Sequence, residues 1–244
     1  MKLVLGHLYP DLMNLYGDRG NFIALQKRCE WRGIDVDLRR VTVGDDVNFA
    51  DFDIVFVGGG QDREQEIVWS DLGRHRDDLA RAVEDDVVVL AVCGGYQLLG
   101  HYYLTPGGRK IAGLGILDLH TESHSSRLVG NVVCRSEYLP APGTLVGFEN
   151  HGGRTHLGPG VAPLARMIKG HGNNGRDGTE GAVYRNVFGT YLHGSLLPKN
   201  PHFADVLIAR ALQRHHPGAE LEPLGDALEW RAHRAAAALA GVRG

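Results

Sequence analysis

Cys93 stands where an apolar run, Val87-Val88-Val89-Leu90-Ala91-Val92, meets Gly94-Gly95 and then Tyr96-Gln97-Leu98-Leu99. A buried strand ending in cysteine, then glycines that tolerate a tight backbone, is the arrangement of a nucleophile elbow with sulfur in place of oxygen. Such a turn holds the thiol over the carboxyl edge of an open α/β sheet, where ligands bind. The free N–H groups and partial positive charge of the following helix N-terminus favour thiolate over thiol. The N–H of Gly94 is then placed to donate to an oxyanion that develops as sulfur attacks a carbonyl carbon. The plainer reading of Cys93, a small buried hydrophobe, leaves the two glycines without a packing role. Cys29 and Cys134 fall in helix-like and strand-like patterns with no activating neighbour.

Two further segments can complete such a centre. Gly58-Gly59-Gly60-Gln61-Asp62 follows the apolar run Ile54-Val55-Phe56-Val57. Glycines there let backbone N–H groups approach a substrate carbonyl, as an oxyanion hole requires; a flexible turn is the alternative. Thr190-Tyr191-Leu192-His193-Gly194-Ser195 puts a histidine at the end of a short apolar run. An imidazole at that edge can protonate a leaving group. With 13 histidines in the chain, spacing alone leaves His151 as an alternative to His193.

These residues need a sheet to hold them. Short apolar runs alternate with amphipathic segments through the first half, the pattern of a parallel sheet wrapped by helices. Leu3-Val4-Leu5, a half-buried stretch around Val36 and Leu38, Ile54–Val57 and Val87–Val92 are predicted strands. Asn21 is predicted to cap a helix reaching about Arg32, with Phe22, Leu25, Cys29 and Trp31 partly on one side. A second helix is predicted from His75 to Asp85. Later β-like pieces lie near Leu128–Cys134, Thr144–Phe148, Ala182–Tyr184 and Val187–Leu192, and several of them are expected to extend the same sheet, some antiparallel. Pro201–Arg214 is predicted helical on a stripe of Phe203, Val206, Leu207 and Ala211. Asp226–Leu239 is predicted as an alanine-rich helix stopped at Gly241. The expected organisation is one α/β domain over residues 1–215 with a helical C-terminal extension over 216–244.

Composition narrows the function classes. A formal net charge of -3 gives no electrostatic reason to expect nucleic acid or an anionic membrane surface. Three widely spaced cysteines suit a reducing cytosol better than a disulfide framework or structural zinc. The opening Met1–Gly6 is too short in apolar length for a signal peptide, and no run approaches the ~20 apolar residues of a membrane helix. A soluble, cytoplasmic protein is expected.

The GGG loop, the Val92-Cys93-Gly94-Gly95-Tyr96-Gln97 run and the strand-borne His193 together resemble the class I (triad-type) glutamine amidotransferases. Tyr191-Leu192-His193-Gly194 is similar to their cobyric-acid-synthase-like (CobB/CobQ-like) branch, where other branches carry His-x-Glu. Leu8-Tyr9-Pro10, Asn14 through Asn21, Asn150-His151-Gly152-Gly153 and Gly172-Asn173-Asn174-Gly175 resemble the GatD family, the glutaminase subunits of lipid II isoglutaminyl synthases. The resemblance covers about residues 2–215. It implies a flavodoxin-like three-layer fold: a mostly parallel central sheet with an antiparallel extension. It also implies Cys93 as nucleophile, His193 as acid/base, Gly60 and Gly94 as the oxyanion hole, and Gln97 and Arg127 as binders of L-glutamine. A guanidinium at 127 suits the α-carboxylate. No cofactor is implied in this chain; ATP and magnesium are expected on a Mur-ligase-like partner, MurT, to which the ammonia passes.

One departure stands out. Ser195 occupies the place where the wider superfamily carries the carboxylate that orients the histidine. A partner-supplied acid, or Glu149 of this chain, is expected to fill that role. Another acceptor of ammonia, or a Cys-His hydrolase not specific for glutamine, remains open from the sequence. Gly170-His171-Gly172-Asn173-Asn174-Gly175 matches G-x-G-x-x-G by letter but not by strand–helix context. The chain has no G-x-x-x-x-G-K-[ST] phosphate loop. His120 and His124 lack the glutamate of a zinc-binding helix and are expected in a polar loop.

Overall fold

The computed structural model describes residues 1–60 and 62–242; Gln61, within the glycine-rich segment, lies outside the described residues. Strands and helices alternate through β1 (Lys2–Leu8), α1 (Arg19–Glu30), β2 (Asp35–Val41), β3 (Ile54–Val57), α2 (Asp62–Leu72), α3 (Arg76–Glu84), β4 (Val88–Val92) and the short α4 (Gly94–Leu98). A strand-rich middle follows: β5 (Tyr102–Leu104), β6 (Lys110–Ala112), β7 (Leu119–Arg135), β8 (Thr144–Leu157), β9 (Ala165–Lys169) and β10 (Thr179–Glu180). The hairpin of β11 (Ala182–Tyr184) and β12 (Val187–Thr190) leads to α5 (Pro201–His215) and α6 (Ala227–Leu239).

The central sheet runs β2-β1-β3-β4-β12-β11, parallel except for the last pair. Strands β3, β4 and β12 are buried along their whole length, which is why their sequences are apolar rather than alternating. Edge strand β2 carries Asp35, Asp37, Arg39 and Arg40, charges that suit an uncovered edge. Chain order reverses between β1 and β3, the topological switch where α/β sheets open a crevice. From the carboxyl ends of four adjacent strands, β1, β3, β4 and β12, the chain runs on toward Asp18, Gly58–Gly60, Cys93 and His193 respectively.

Of the later strands, several of which are expected to extend this sheet, β11 and β12 do so. Strands β7 and β8 instead pair with each other in a long antiparallel hairpin that anchors a separate sheet, β10-β9-β7-β5-β6 with β8 beside β7. Alternating burial along β8 shows one face covered and one half-open, the pattern of a sheet lying against a core rather than inside one. An antiparallel bridge of Phe148 in β8 with His193, just past β12, joins the two sheets.

Three local readings also shift. Helix α1 begins at Arg19, so Asn21 lies inside it; its Oδ1 accepts from the N–H of Leu197, and Trp31, 60% exposed, is not on the buried side. Helix α2 had no counterpart in the sequence reading. His120 and His124 lie on β7, not in a loop; His120 stacks between Tyr102 and His156. Helix α6 lies on the β7–β8 sheet, with His233 bonded to Thr144 Oγ1 (3.0 Å) and to the Lys199 carbonyl (2.9 Å). Arg28 pins its start through Asp226 and also grips Asp205 of α5.

Candidate active site

Cys93 adopts φ 51° and ψ -105°, a conformation that costs a side-chain-bearing residue about 1–3 kcal/mol and persists only where neighbours enforce it. They do: the Cys93 N–H donates to Thr190 O (2.8 Å), its carbonyl accepts from Gln97 N (2.9 Å), and Gly95 N donates to Gly58 O (3.1 Å). The sulfur is thus held at the start of α4. Gly95 must be a glycine, since a Cβ there would come within 2.9 Å of the Val57 and Gly58 carbonyl oxygens. Cys93 keeps 7% of its surface and borders a cleft of about 820 Å³. Cys29 and Cys134 are fully enclosed, and burial pushes their thiols up, Cys29 to about 12.

His193 is fully buried beside Cys93, and its Nδ1 lies 3.2 Å from Asp18 Oδ1, a carboxylate that is itself completely buried. The other oxygen of Asp18 accepts the Gly59 N–H at 2.8 Å. Burial disfavours an imidazolium, yet negative charge on Cys93, with Asp18 in support, outweighs it and raises His193 to about 10. Among the described residues no group other than the Cys93 side chain meets Nε2. A Cβ on Gly59 would sit 3.0 Å from His193 Cε1, 3.3 Å from Cys93 Cβ and 3.4 Å from Asp18 Oδ2. The middle glycine of the loop therefore lies against all three side chains.

Asp18, not Glu149, meets the histidine. Sequence reasoning missed it although it lies in the Asn14–Asn21 segment that carries the family resemblance. Ser195, in the place of the usual carboxylate, donates instead to the Gly17 carbonyl (2.7 Å) and so ties the exit of β12 to the turn bearing Asp18. Glu149 is turned away, accepting the N–H groups of His171 (2.7 Å) and Gly172 (2.9 Å). His151 lines the same cleft but stacks flat on Tyr191 at 3.6 Å, bonds Gly153 O through Nδ1, and is held below the usual histidine range by burial.

The cleft's outer wall comes from the second sheet. The β7–β8 register breaks between Ser123 and Leu128, and the bulge carries Arg127 to the cleft. Asn150 holds the guanidinium, its Oδ1 accepting from Nε (2.7 Å) and its carbonyl from an Nη (2.6 Å). Asn150 also donates to the Tyr16 hydroxyl (2.7 Å), whose ring stands edge-on to His193. Gln97 lies on the cleft wall and donates to the Tyr191 hydroxyl (3.0 Å). Gly60 borders the cleft at the end of the glycine loop, and Gly94, first residue of α4, has a first-turn N–H with no partner inside its helix. All six residues singled out from sequence thus gather at or beside one opening: Cys93, His193, Gly60, Gly94, Gln97 and Arg127.

A strained thiol at a helix start, an imidazole and a buried carboxylate gathered at one sheet edge form an arrangement that can attack a carbonyl carbon and move a proton. Residues 4–201 match the CobB/CobQ-like glutamine amidotransferase domain. The chain belongs to that family. It is 44% identical over 222 residues to the Staphylococcus aureus (strain N315) protein named lipid II isoglutaminyl synthase (glutamine-hydrolyzing) subunit GatD, covering 91% of this chain and 88% of that one. The Streptococcus pneumoniae protein of the same name is 40% identical, covering 88% and 82%. A probable cobyric acid synthase of Methanothermobacter thermautotrophicus is 31% identical, covering 66% of this chain but 33% of its own length. Among solved structures, PurLQS from Thermotoga maritima superposes with a TM-score of 0.62 at 17% identity, covering 87% of this chain and 99% of that one, which bears out the fold.

Proposed function

We propose that this chain is the glutaminase subunit of a two-subunit ligase that amidates the D-glutamate of lipid II to D-isoglutamine. The thiolate of Cys93 attacks the carboxamide carbon of L-glutamine, forming a C–S bond while the N–H groups of Gly60 and Gly94 hold the oxyanion. His193 gives its Nε2 proton to the departing nitrogen, the C–N bond breaks, and a γ-glutamyl thioester remains. The neutral imidazole then takes a proton from water, which hydrolyses the thioester to glutamate. Asp18 keeps Nδ1 protonated and so presents Nε2 to both proton transfers. Arg127 takes the α-carboxylate, and Gln97 helps hold the substrate. Ammonia passes to a Mur-ligase-like partner, MurT, which holds ATP and magnesium; the setting is the cytoplasm.

The observation that carries the acceptor is the identity of 40–44% over about nine-tenths of the chain to the two GatD subunits, which this chain spans for 82–88% of their length, against 31% identity over 66% of the chain and 33% of the length of the cobyric acid synthase. Because Asp18 already meets His193, the isolated chain is expected to release ammonia from glutamine, and Cys93→Ala to abolish that release. Co-purification with a Mur-ligase-like protein and amidation of lipid II by the pair tests the acceptor. Glutamine hydrolysis without any lipid II amidation by that pair would discard the acceptor and keep the chemistry.

A further inference from the structure

Gln65, in the first turns of α2, donates from Nε2 to the Gly60 carbonyl at 2.8 Å. Gln65 is 6% exposed and borders the cleft with Cys93, and among the described residues its buried Oε1 has no partner. It also lies over Gly94, where a Cβ would come within 2.5 Å of Nε2 and 2.9 Å of Cδ. One amide therefore touches both glycines assigned above to the oxyanion. An acceptor buried without a donor costs free energy unless a ligand supplies the missing N–H.

Glutamine can supply it. Its carboxamide oxygen faces Gly60 and Gly94 and its carboxylate faces Arg127, so the groups still needing partners are N–H donors, the carboxamide NH₂ and the α-ammonium. Glu64 Oε2, in this cleft, is also buried without a partner among the described residues, and its charge suits the ammonium. Neutral Gln65, beside the oxyanion glycines, suits the carboxamide.

Resting on the glutaminase reading, we propose that Gln65 Oε1 accepts a hydrogen bond from the carboxamide NH₂ of glutamine, making Gln65 a specificity residue for amide over ester. The contact persists as the nitrogen turns tetrahedral, holding its lone pair toward the proton on His193.

The test compares L-glutamine with L-glutamate γ-methyl ester, whose leaving group has no N–H. In Gln65→Met, kcat/KM for glutamine is expected to fall about tenfold further than for the ester. Gln65→Glu keeps an acceptor but loses the donor to Gly60; it is expected to slow both substrates while keeping the amide-to-ester ratio nearer the parent's. Parallel loss of both substrates in Gln65→Met would reduce Gln65 to a brace for the glycine loop and overturn the proposal. So would a gain in turnover of N-acetylglutamine by that variant, which moves the contact to the ammonium. If the unsubstituted protein turns over neither substrate, alone or with its ligase partner, the glutaminase reading itself fails and this inference with it.

Discussion

Two buried histidine–carboxylate pairs flank the same opening, and they behave in opposite ways. Asp18 Oδ1 lies 3.2 Å from His193 Nδ1, and His193 is raised to about 10. Glu149 Oε2 lies 3.7 Å from His151 Nε2, and His151 is lowered. Burial pulls both down; what differs is the charge left to oppose it. Asp18 gives one oxygen to the Gly59 N–H and keeps the other for its histidine, while the far nitrogen faces the Cys93 sulfur. Glu149 has both oxygens engaged by backbone N–H groups, and the His151 ring is fixed by stacking and by Gly153 O. An acid near an imidazole orients it for proton transfer only when its accepting capacity is unspent and a second anion waits on the other side.

The sharpest way to break this contrast is to remove each imidazole. His193→Gln is expected to cut kcat for ammonia release by about 10⁴-fold, the scale of losing a general base from a nucleophile–base unit. His151→Gln, a lining residue, is expected to cost on the order of tenfold or less, mainly in KM. Steady-state ammonia release checks both, and comparable kcat losses would mean that His151 shares the proton transfer.

Removing the acids should give a smaller but parallel split. Asp18→Asn keeps an oxygen for Gly59 yet favours the wrong imidazole tautomer, so kcat is expected to fall about 10²-fold or more. Glu149→Gln is expected to leave kcat within a few-fold while lowering the melting temperature, since it weakens the 170–172 turn. If a partner subunit supplies the orienting acid, Asp18→Asn will lose little activity in the complex, and that result would reassign the role.

How much of this was legible beforehand follows from range. Val88–Val92 with Cys93-Gly94-Gly95 is local information: a fully buried strand must be apolar, and the elbow needs its glycines, so the nucleophile's place could be read directly. His193 could be read as a strand-end histidine, but only the family resemblance, not spacing, set it above His151, because the physical distinction rests on Asp18, 175 positions away in the chain. Asp18 itself gave no signal as an acid in a turn; what aims it is the positive φ of Tyr16 and the Ser195 bond to Gly17, neither visible in one dimension. The second sheet was missed because an amphipathic hairpin has the same alternation whichever sheet it joins. Helix α2 was missed because its opening residues are polar and its apolar stripe begins only at Ile67-Val68-Trp69. Arg127 was anticipated by resemblance, but its reach comes from a register break that strand patterning does not encode.

A titration tests the electrostatics with no loss of machinery in the parent protein. His193 is raised from an ordinary 6.5 to about 10, so its contribution to stability is fully present below pH 6.5 and is lost as pH rises through 10. Imidazole NMR shifts should show His193 protonated and His151 neutral at pH 8. In Cys93→Ser the His193 value is expected to drop, because the sulfur's charge leads the influences that raise it. No movement in that variant would credit Asp18 alone.

A third buried carboxylate, with neither histidine beside it, completes the comparison. Glu180 is 1% exposed, and burial raises it to about 7 despite hydrogen bonds from Thr190 Oγ1 and the Tyr191 N–H. Here the sign reverses: the native state holds the proton that the unfolded chain releases above about 4.5, so stability falls as pH climbs from there through 7. The slope is at most about 1.4 kcal/mol per pH unit for one proton. Glu180→Gln should flatten the melting temperature between pH 5 and 8, whatever its absolute cost. Because Thr190 and Tyr191 lead directly to His193, and Thr190 O receives the Cys93 N–H, a few-fold loss of kcat is expected alongside. An unchanged pH slope would mean that Glu180 is ionised throughout, and that its hydrogen bonds, not burial, set its state.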